Sequence, residues 1–416
     1  MKHRPEVLII GGGVIGVCAA YFLTEHGHEV TLLERKDICS GCSYGNAGLT
    51  EYSHAVPIAE PGVLYQVLRW LRSADSPFFI KPRLDTALLR WLRLFHAACN
   101  ETRMRKSIPV ILALGRASKE LFEVLHSSEE LEFGYRCEGR VNLFNSEAGL
   151  EKGIADAKML GEFGIQAHIL DGDAVCKLEP NALNGIVGGI HFPEYGHLIP
   201  DRFVHAMASA AARRGADIRT STEVMGFDTS SGRISAVITT RGDFRPRQVV
   251  LAAGALSPFL ANNLGLQLPI QPAKGYGATF KGPRDWPRLP LSLEEKRLSV
   301  TPMRDGFRTN SSLELAGYDA SIKRTKLEAI RRGMHAYLGG VKDLVLQEFW
   351  RGFRPLTPDG LPIIGRSPDQ DNLIIATGHG IAGMTQGPIT GKLVSQLVVG
   401  AAPQIDLSPL RVERFG

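Results

Sequence analysis

The chain has 416 residues, of which 44% are hydrophobic and 22% charged, and its formal net charge is +5. That length is too great for one ordinary core and implies two or three domains. The balance is that of a soluble globular protein, expected in the cytoplasm, and the mild positive excess leaves no nucleic-acid footprint. Six cysteines (Cys18, Cys39, Cys42, Cys99, Cys137, Cys176) without regular spacing exclude a disulfide scaffold and read as reduced thiols.

Lys2, His3 and Arg4 before an apolar stretch over residues 7–23 have the outline of a signal peptide. Gly11, Gly12, Gly13 and Gly16 interrupt that stretch and no small-residue cleavage site follows, so it reads as part of the fold. No other stretch reaches ~18 uninterrupted apolar residues, and no membrane-spanning helix is expected.

Residues 7–10 read as a buried strand, 11–16 as a turn, 14–26 as a helix stopped by Gly27, and 29–34 as a second strand. In Gly11-x-Gly13-x-x-Gly16 the first glycine permits a tight turn. The second lets backbone approach a pyrophosphate, and the third lets helix pack on strand. Val14, Ile15 and Gly16 open the helix, where unpaired N–H groups face phosphate oxygens. Glu34, at the end of the second strand with Arg35 beside it, suits the ribose hydroxyls of a dinucleotide, NAD or FAD alike.

Between residues 61 and 105, Leu64, Val67, Leu68 and Leu71 recur at helical spacing, as do Leu88, Leu89, Leu92 and Phe95. Arg69, Arg72, Arg90 and Arg93 interleave with Trp70 and Trp91. Two readings stay open: a pair of core-packing helices, or basic amphipathic helices on a membrane surface. Further on, 139–144 reads as a strand and 151–163 as a helix, followed by a segment at 189–192 and a helix over 201–214. Ile218 and Val224 sit on strand-like stretches. Residues 249–251 run into Ala252-Ala253-Gly254, a strand-to-turn junction. A strand at 373–376 enters Thr377-Gly378-His379-Gly380-Ile381-Ala382-Gly383, then Met384 and a helix over 385–399. These nucleotide-type units are far apart in the chain but suit one sheet.

Four stretches together resemble the D-amino acid oxidase and dehydrogenase family of flavoproteins, and most closely its bacterial D-amino acid dehydrogenase small-subunit type. They are the glycine turn with Glu34; Ser43-Tyr44-Gly45-Asn46-Ala47-Gly48; Gly352-Phe353-Arg354-Pro355-Leu356-Thr357-Pro358-Asp359-Gly360-Leu361-Pro362-Ile363-Ile364-Gly365; and Gly378-His379-Gly380 through Gly383. The resemblance implies an α/β protein with a discontinuous Rossmann-like FAD-binding domain and an α+β substrate domain with a large mixed sheet. The expected division is 1–50, 196–264 and 356–416 for FAD, and 51–195 and 265–355 for substrate. It implies non-covalent FAD, held by Gly11, Gly13, Val14, Ile15, Gly16, Glu34, Arg35, Ser43, Asn46, Ala47, Gly48, Val224, Ala253, Gly254, Gly378, His379, Gly380, Gly383 and Met384. The last helix would point at the pyrimidine edge of the flavin.

Cys39-Ser40-Gly41-Cys42 departs from the family pattern. With no second pair at ligand spacing it reads as two inert thiols, the alternative being covalent flavin attachment.

On the substrate side, Arg354 aligns with the family's carboxylate-binding arginine. A planar fork grips a carboxylate through two hydrogen bonds and sets its plane. Lys274-Gly275-Tyr276 occupies the place of a family Lys-Gly-Tyr segment, and His54 follows the Asn-Ala-Gly loop. Lys274, Tyr276 and His54 are therefore further candidates to line the pocket. The expected reaction is oxidation of the amine-bearing carbon of a small amino acid, a D-amino acid, by hydride transfer from Cα to flavin N5. The imine then hydrolyses to a 2-oxo acid and ammonia. Electrons would pass to a quinone or another acceptor. Alternatives are a cyclic or N-methylated amino acid, or glycine, as substrate, and a flavin-bearing subunit that needs a partner chain. Peripheral contact with the inner membrane also stays open.

Overall fold

The computed structural model describes residues 5–51, 59, 78–128, 131–282 and 286–416. β1 (Val7–Ile10) is buried at every position, as a strand covered on both faces must be. It lies at the centre of a six-stranded sheet whose order is Ile363–Arg366, Leu373–Thr377, Gln248–Leu251, β1, β2 (Val30–Leu33), Asp217–Arg219. All neighbours pair in parallel except Ile363–Arg366, which is antiparallel to Leu373–Thr377. This is a Rossmann-like sheet assembled from well-separated parts of the chain.

α1 (Val14–Glu25) crosses from β1 to β2 and is buried along almost its whole length. Glycines of the helix Gly383–Val399 let it come close. A side chain at Gly391 would strike the Cys18 backbone, and one at Gly387 would strike Val14. The expected helix over 385–399 thus starts at Gly383. The helix expected over 151–163 is Glu147–Gly161, begun by Ser146, whose hydroxyl accepts from Gly149 N at 3.2 Å.

A second, nine-stranded sheet is mixed. Its order is Val345–Leu356, Gln271–Lys281, Gly306–Leu315, Leu298–Met303, Leu291–Leu293, Arg140–Phe144, Gly188–Phe192, His168–Asp171, with Phe78–Ile80 pairing in parallel with Gly306–Leu315. Alternate residues, among them Phe280, Leu293, Val300 and Phe307, share a core with Ile330 and Met334 of the helix Arg324–His335. The two long strands 345–356 and 271–281 form the end of this sheet that faces the first one.

Of the two basic helical segments, the first, with Trp70, lies outside the described residues. The second is Thr86–Ala98, capped by Asp85, and it packs through Leu88, Trp91 and Phe95. Trp91 Nε1 donates to Leu356 O at 2.9 Å. For this segment core packing is observed, with Leu89 and Arg93 outside. Among the described residues no helix is long and apolar enough to cross a membrane.

Candidate active site

The turn after β1 is shaped by close packing. A Cβ on Gly16 would run into the Gly11 carbonyl oxygen, so helix and turn can touch only through glycine. Gly13 provides the N-cap of α1 without a side-chain acceptor. Ser43 supplies one from another loop: its Oγ accepts from Val14 N at 3.0 Å. Glu34 lies at the same helix end, accepting from Gly12 N at 2.8 Å and Lys36 N at 2.9 Å. Glu34→Gln keeps the shape but weakens the acceptor. Hydrogen bonds to charged groups contribute about 1.5–3 kcal/mol, so affinity for the expected dinucleotide should fall about 10-fold or more, read by titrating it into the stripped protein.

The loop at residues 43–48 is pinned by two side chains of the 306–315 strand, two residues apart and so on one face. Arg308 Nη1 donates to Tyr44 O at 2.6 Å and Asn46 O at 3.2 Å, and Asn310 Nδ2 donates to Gly45 O at 2.7 Å. Asn46 closes the turn by accepting from Gly48 N at 2.7 Å. Neither Arg308 nor Asn310 stood out in the sequence. Their signal, two polar residues at spacing two in a long strand, is weak.

The third wall is the turn after the 373–377 strand. Gly378 and Gly380 hold left-handed φ angles of 78° and 55°, which glycine adopts without strain. Gly380 N donates to Pro355 O at 2.9 Å and Thr377 Oγ1 to Gly254 O at 3.1 Å, joining three segments. The His379 ring turns into the protein, with Nε2 2.9 Å from Thr390 Oγ1. Its ring therefore serves packing, and its backbone forms the wall.

Burial drives the His379 imidazole down to about 3, and burial with a contribution from Arg136 drives His197 down to about 4. Both are neutral in the folded protein near neutral pH. The unfolded chain, with an ordinary value near about 6.5, binds protons that the folded form refuses below that pH. Stability from these groups is complete above about pH 6.5 and declines as pH falls towards 4 for His197 and towards 3 for His379. Melting temperature should drop over this window, and less steeply when both are replaced by Asn. Equal slopes would remove the histidines from the explanation.

These three walls enclose a cavity of about 550 Å³. Gly11–Gly13, Val14, Ile15 and Glu34–Lys36 line one part, and Ala252–Leu256 another. Ser40–Ser43, Asn46, Trp350–Phe353 and the 376–384 turn line the rest. The mouth carries an aromatic group that sequence reading missed. Tyr318 lies between Phe259 and Phe353, with ring centroids 4.8 and 5.7 Å away. Burial, then Asp85, pushes its hydroxyl up to about 12.

Several expected residues sit elsewhere. Lys274 and Tyr276 are wholly buried and do not line the cavity. Lys274 Nζ lies 3.5 Å from Glu314 and 3.7 Å from Asp319 and donates to Ser321 O. Tyr276 donates to Glu314 at 3.4 Å. They anchor the segment next to Tyr318 instead of lining the pocket. Val224 belongs to an apolar core with Leu8, Leu33 and Phe244, off the cavity wall. Gly16, Ala47 and Gly48 lie behind the wall. His54 falls outside the described residues.

Arg354 lies one side chain behind the wall. Its guanidinium rests over Gly275, next to Cys42 on the wall, and donates to Ser312 O at 2.8 Å. No carboxylate pairs with it among the described residues, and burial lowers its pKa. Burial also raises the thiols of Cys42, where Arg354 opposes the rise, and of Cys39, up to about 12. Both cysteines are therefore protonated at neutral pH. Among the described residues no group of three or more His, Cys, Asp or Glu could hold a metal ion.

A family model described as FAD-dependent oxidoreductase matches residues 6–397. The chain belongs to the D-amino acid oxidase and dehydrogenase family. It is an FAD-dependent oxidoreductase, acting on the CH–NH2 class of donor. It is 33% identical to a D-amino acid dehydrogenase of Cereibacter sphaeroides over 99% of this chain and 95% of that one. It is equally identical to that of Methylobacterium nodulans, covering 98% and 99%. Among solved structures, glycine oxidase from Geobacillus kaustophilus superposes with a TM-score of 0.80 at 22% identity, covering 99% of both chains. L-Proline dehydrogenase from P. horikoshii gives 0.78 at 20% identity, covering 100% and 98%. At such identities the likeness shows the fold alone.

Proposed function

We propose that the protein oxidises the amine-bearing carbon of a small D-amino acid to an imine, which hydrolyses off the enzyme to a 2-oxo acid and ammonia. The observation that carries this reading is Arg354, a buried guanidinium beside the cavity with no carboxylate partner among the described residues. A buried charge without a counter-charge is disfavoured, and a substrate carboxylate would supply one.

The cavity's residues fit FAD. The side-chain-free floor at Gly11–Gly13 and the first turn of α1 would hold the pyrophosphate, and Glu34 with Arg35 the adenosine ribose. Ser43, Asn46, Ala253, Gly254 and the 378–384 turn would hold the remainder, with N–H donors at the start of the 383–399 helix. When bound, FAD supplies the two-electron sink, taking the hydride of Cα at N5. Arg354 would orient the substrate through its carboxylate, and the amine would lose its proton to solvent before oxidation. No ionised general base is needed, and the thiol nearest Arg354 is protonated. The electrons would leave for a quinone or another acceptor.

The test is anaerobic addition of amino acids to the yellow protein. D-Alanine should bleach the flavin spectrum, L-alanine should not, and sarcosine and D-proline mark the limits of tolerance at nitrogen. A protein that holds FAD but is bleached by none of them is not an amino acid dehydrogenase.

A further inference from the structure

Gly275 and Gly352 stand directly opposite each other in the pairing of the 271–281 and 345–356 strands. Cα atoms of such partners are about 4.5–5.5 Å apart. Together they leave a bare patch on the sheet face that looks towards the cavity. Two side chains of the 345–356 strand fill it from either end. The Arg354 guanidinium occupies the place a Cβ of Gly275 would take, and the six-membered ring of Trp350 occupies that of Gly352. A side chain at Gly45, on a different segment, would strike the same six-membered ring. The indole is thus clasped between the Gly45 loop and the strand, and it forms part of the cavity wall.

We infer that Trp350 is the specificity-determining residue for the substrate side chain, restricting it to small groups. The inference rests on Arg354 as the carboxylate site. With the carboxylate at the guanidinium, Cα lies one bond further out. The side chain then extends over the glycine pair, where the indole already fills the space. Gly45 and Gly352 permit the indole to lie there, and Tyr44, with its ring centroid 6.3 Å away, backs it. A methyl or hydroxymethyl side chain would then be accommodated beside the ring, and a benzyl group would collide with it.

The test uses the FAD-bound protein with Trp350→Phe and Trp350→Ala. Stopped-flow flavin reduction by D-alanine and D-phenylalanine gives one ratio. Equilibrium binding of acetate and benzoate to the oxidised protein, followed by the flavin spectrum, gives another without turnover. Trp350→Ala should raise the D-phenylalanine to D-alanine ratio of kcat/KM about 10-fold or more, with Trp350→Phe between. It should tighten benzoate and leave acetate nearly unchanged. Unchanged ratios in a protein bleached by D-alanine overturn the inference. So does a loss of FAD retention without a change of ratio, which would make the indole a cofactor contact only. If the wild-type protein is bleached by neither amino acid and binds neither carboxylate, the Arg354 reading itself fails and carries this one down with it.

Discussion

Arg354→Ala is expected to lower kcat/KM for a D-amino acid by roughly 30-fold to several thousand-fold while FAD content stays near normal. Truncating one partner of a buried charge pair typically costs about 2–5 kcal/mol, and 1.4 kcal/mol is a decade. Arg354→Lys should recover only part of the loss, since an ammonium cannot reproduce the two-bond fork. One arm of the guanidinium is already committed to Ser312 O, which sets its plane and leaves the other nitrogens for a ligand. Arg351 is the control. It lies on the cavity wall, but its Nε donates to Ala320 O at 3.0 Å and its guanidinium lies 5.1 Å from the Phe353 ring centroid. Arg351→Ala should cost far less. The measurement is anaerobic flavin reduction by the amino acid and by the matching amine without a carboxylate. If the Arg354 variant keeps its preference for the carboxylated compound, that residue is a strut of the sheet and the amino acid reading loses its main support.

The second large effect is expected at Gly16. Gly16→Val places a branched side chain where the Gly11 carbonyl lies, with Ile9 also close. β1 and α1 must separate, which distorts the turn between them. The cost lies at or beyond the upper end of the about 1–3 kcal/mol usual for overpacking. The variant should purify colourless, with a lowered melting temperature or as insoluble protein. Gly13→Ala is the mild comparison, since a Cβ there meets only Ser43 Oγ, at 3.3 Å. A folded Gly16→Val protein with a full complement of FAD would show that the turn tolerates rearrangement.

The first βαβ unit was legible because glycine spacing, a helix stop at Gly27 and an acid at Glu34 all answer to one local geometry. The same holds for the strand and glycine turn that start the last helix. The dispersal of the Rossmann-like sheet was legible too, since each unit carried its own turn signal. The substrate side was less so. Lys274, Gly275 and Tyr276 read as one motif, but strand alternation puts the glycine under the Arg354 guanidinium and its neighbours into the Glu314 cluster. Which face a strand buries depends on its partners, and those come from distant sequence. Trp350 was passed over for a similar reason. Its position follows from glycines at 45 and 352, one of them some three hundred residues away. Val224, read on a strand-like stretch and expected from the resemblance to touch FAD, lies in a hairpin with Arg233–Thr239 that takes it into the core.

The pairing of Val7 with Gln248, and of Val249 with Leu373, bears on how the molecule is made. At roughly 5–20 residues per second, about 20–70 s separate the synthesis of the glycine turn from that of the strand at residue 373. Until the strand at residue 248 is made, β1 is an apolar segment without one of its neighbours, and until the strand at 373 follows, the parallel sheet under the dinucleotide cannot close. Loop closure over such distances is slow, and an unpaired strand edge invites other chains. Cofactor capture is thus a late event in the life of the chain, and yield should depend on what shields residues 7–33 until the far strands arrive.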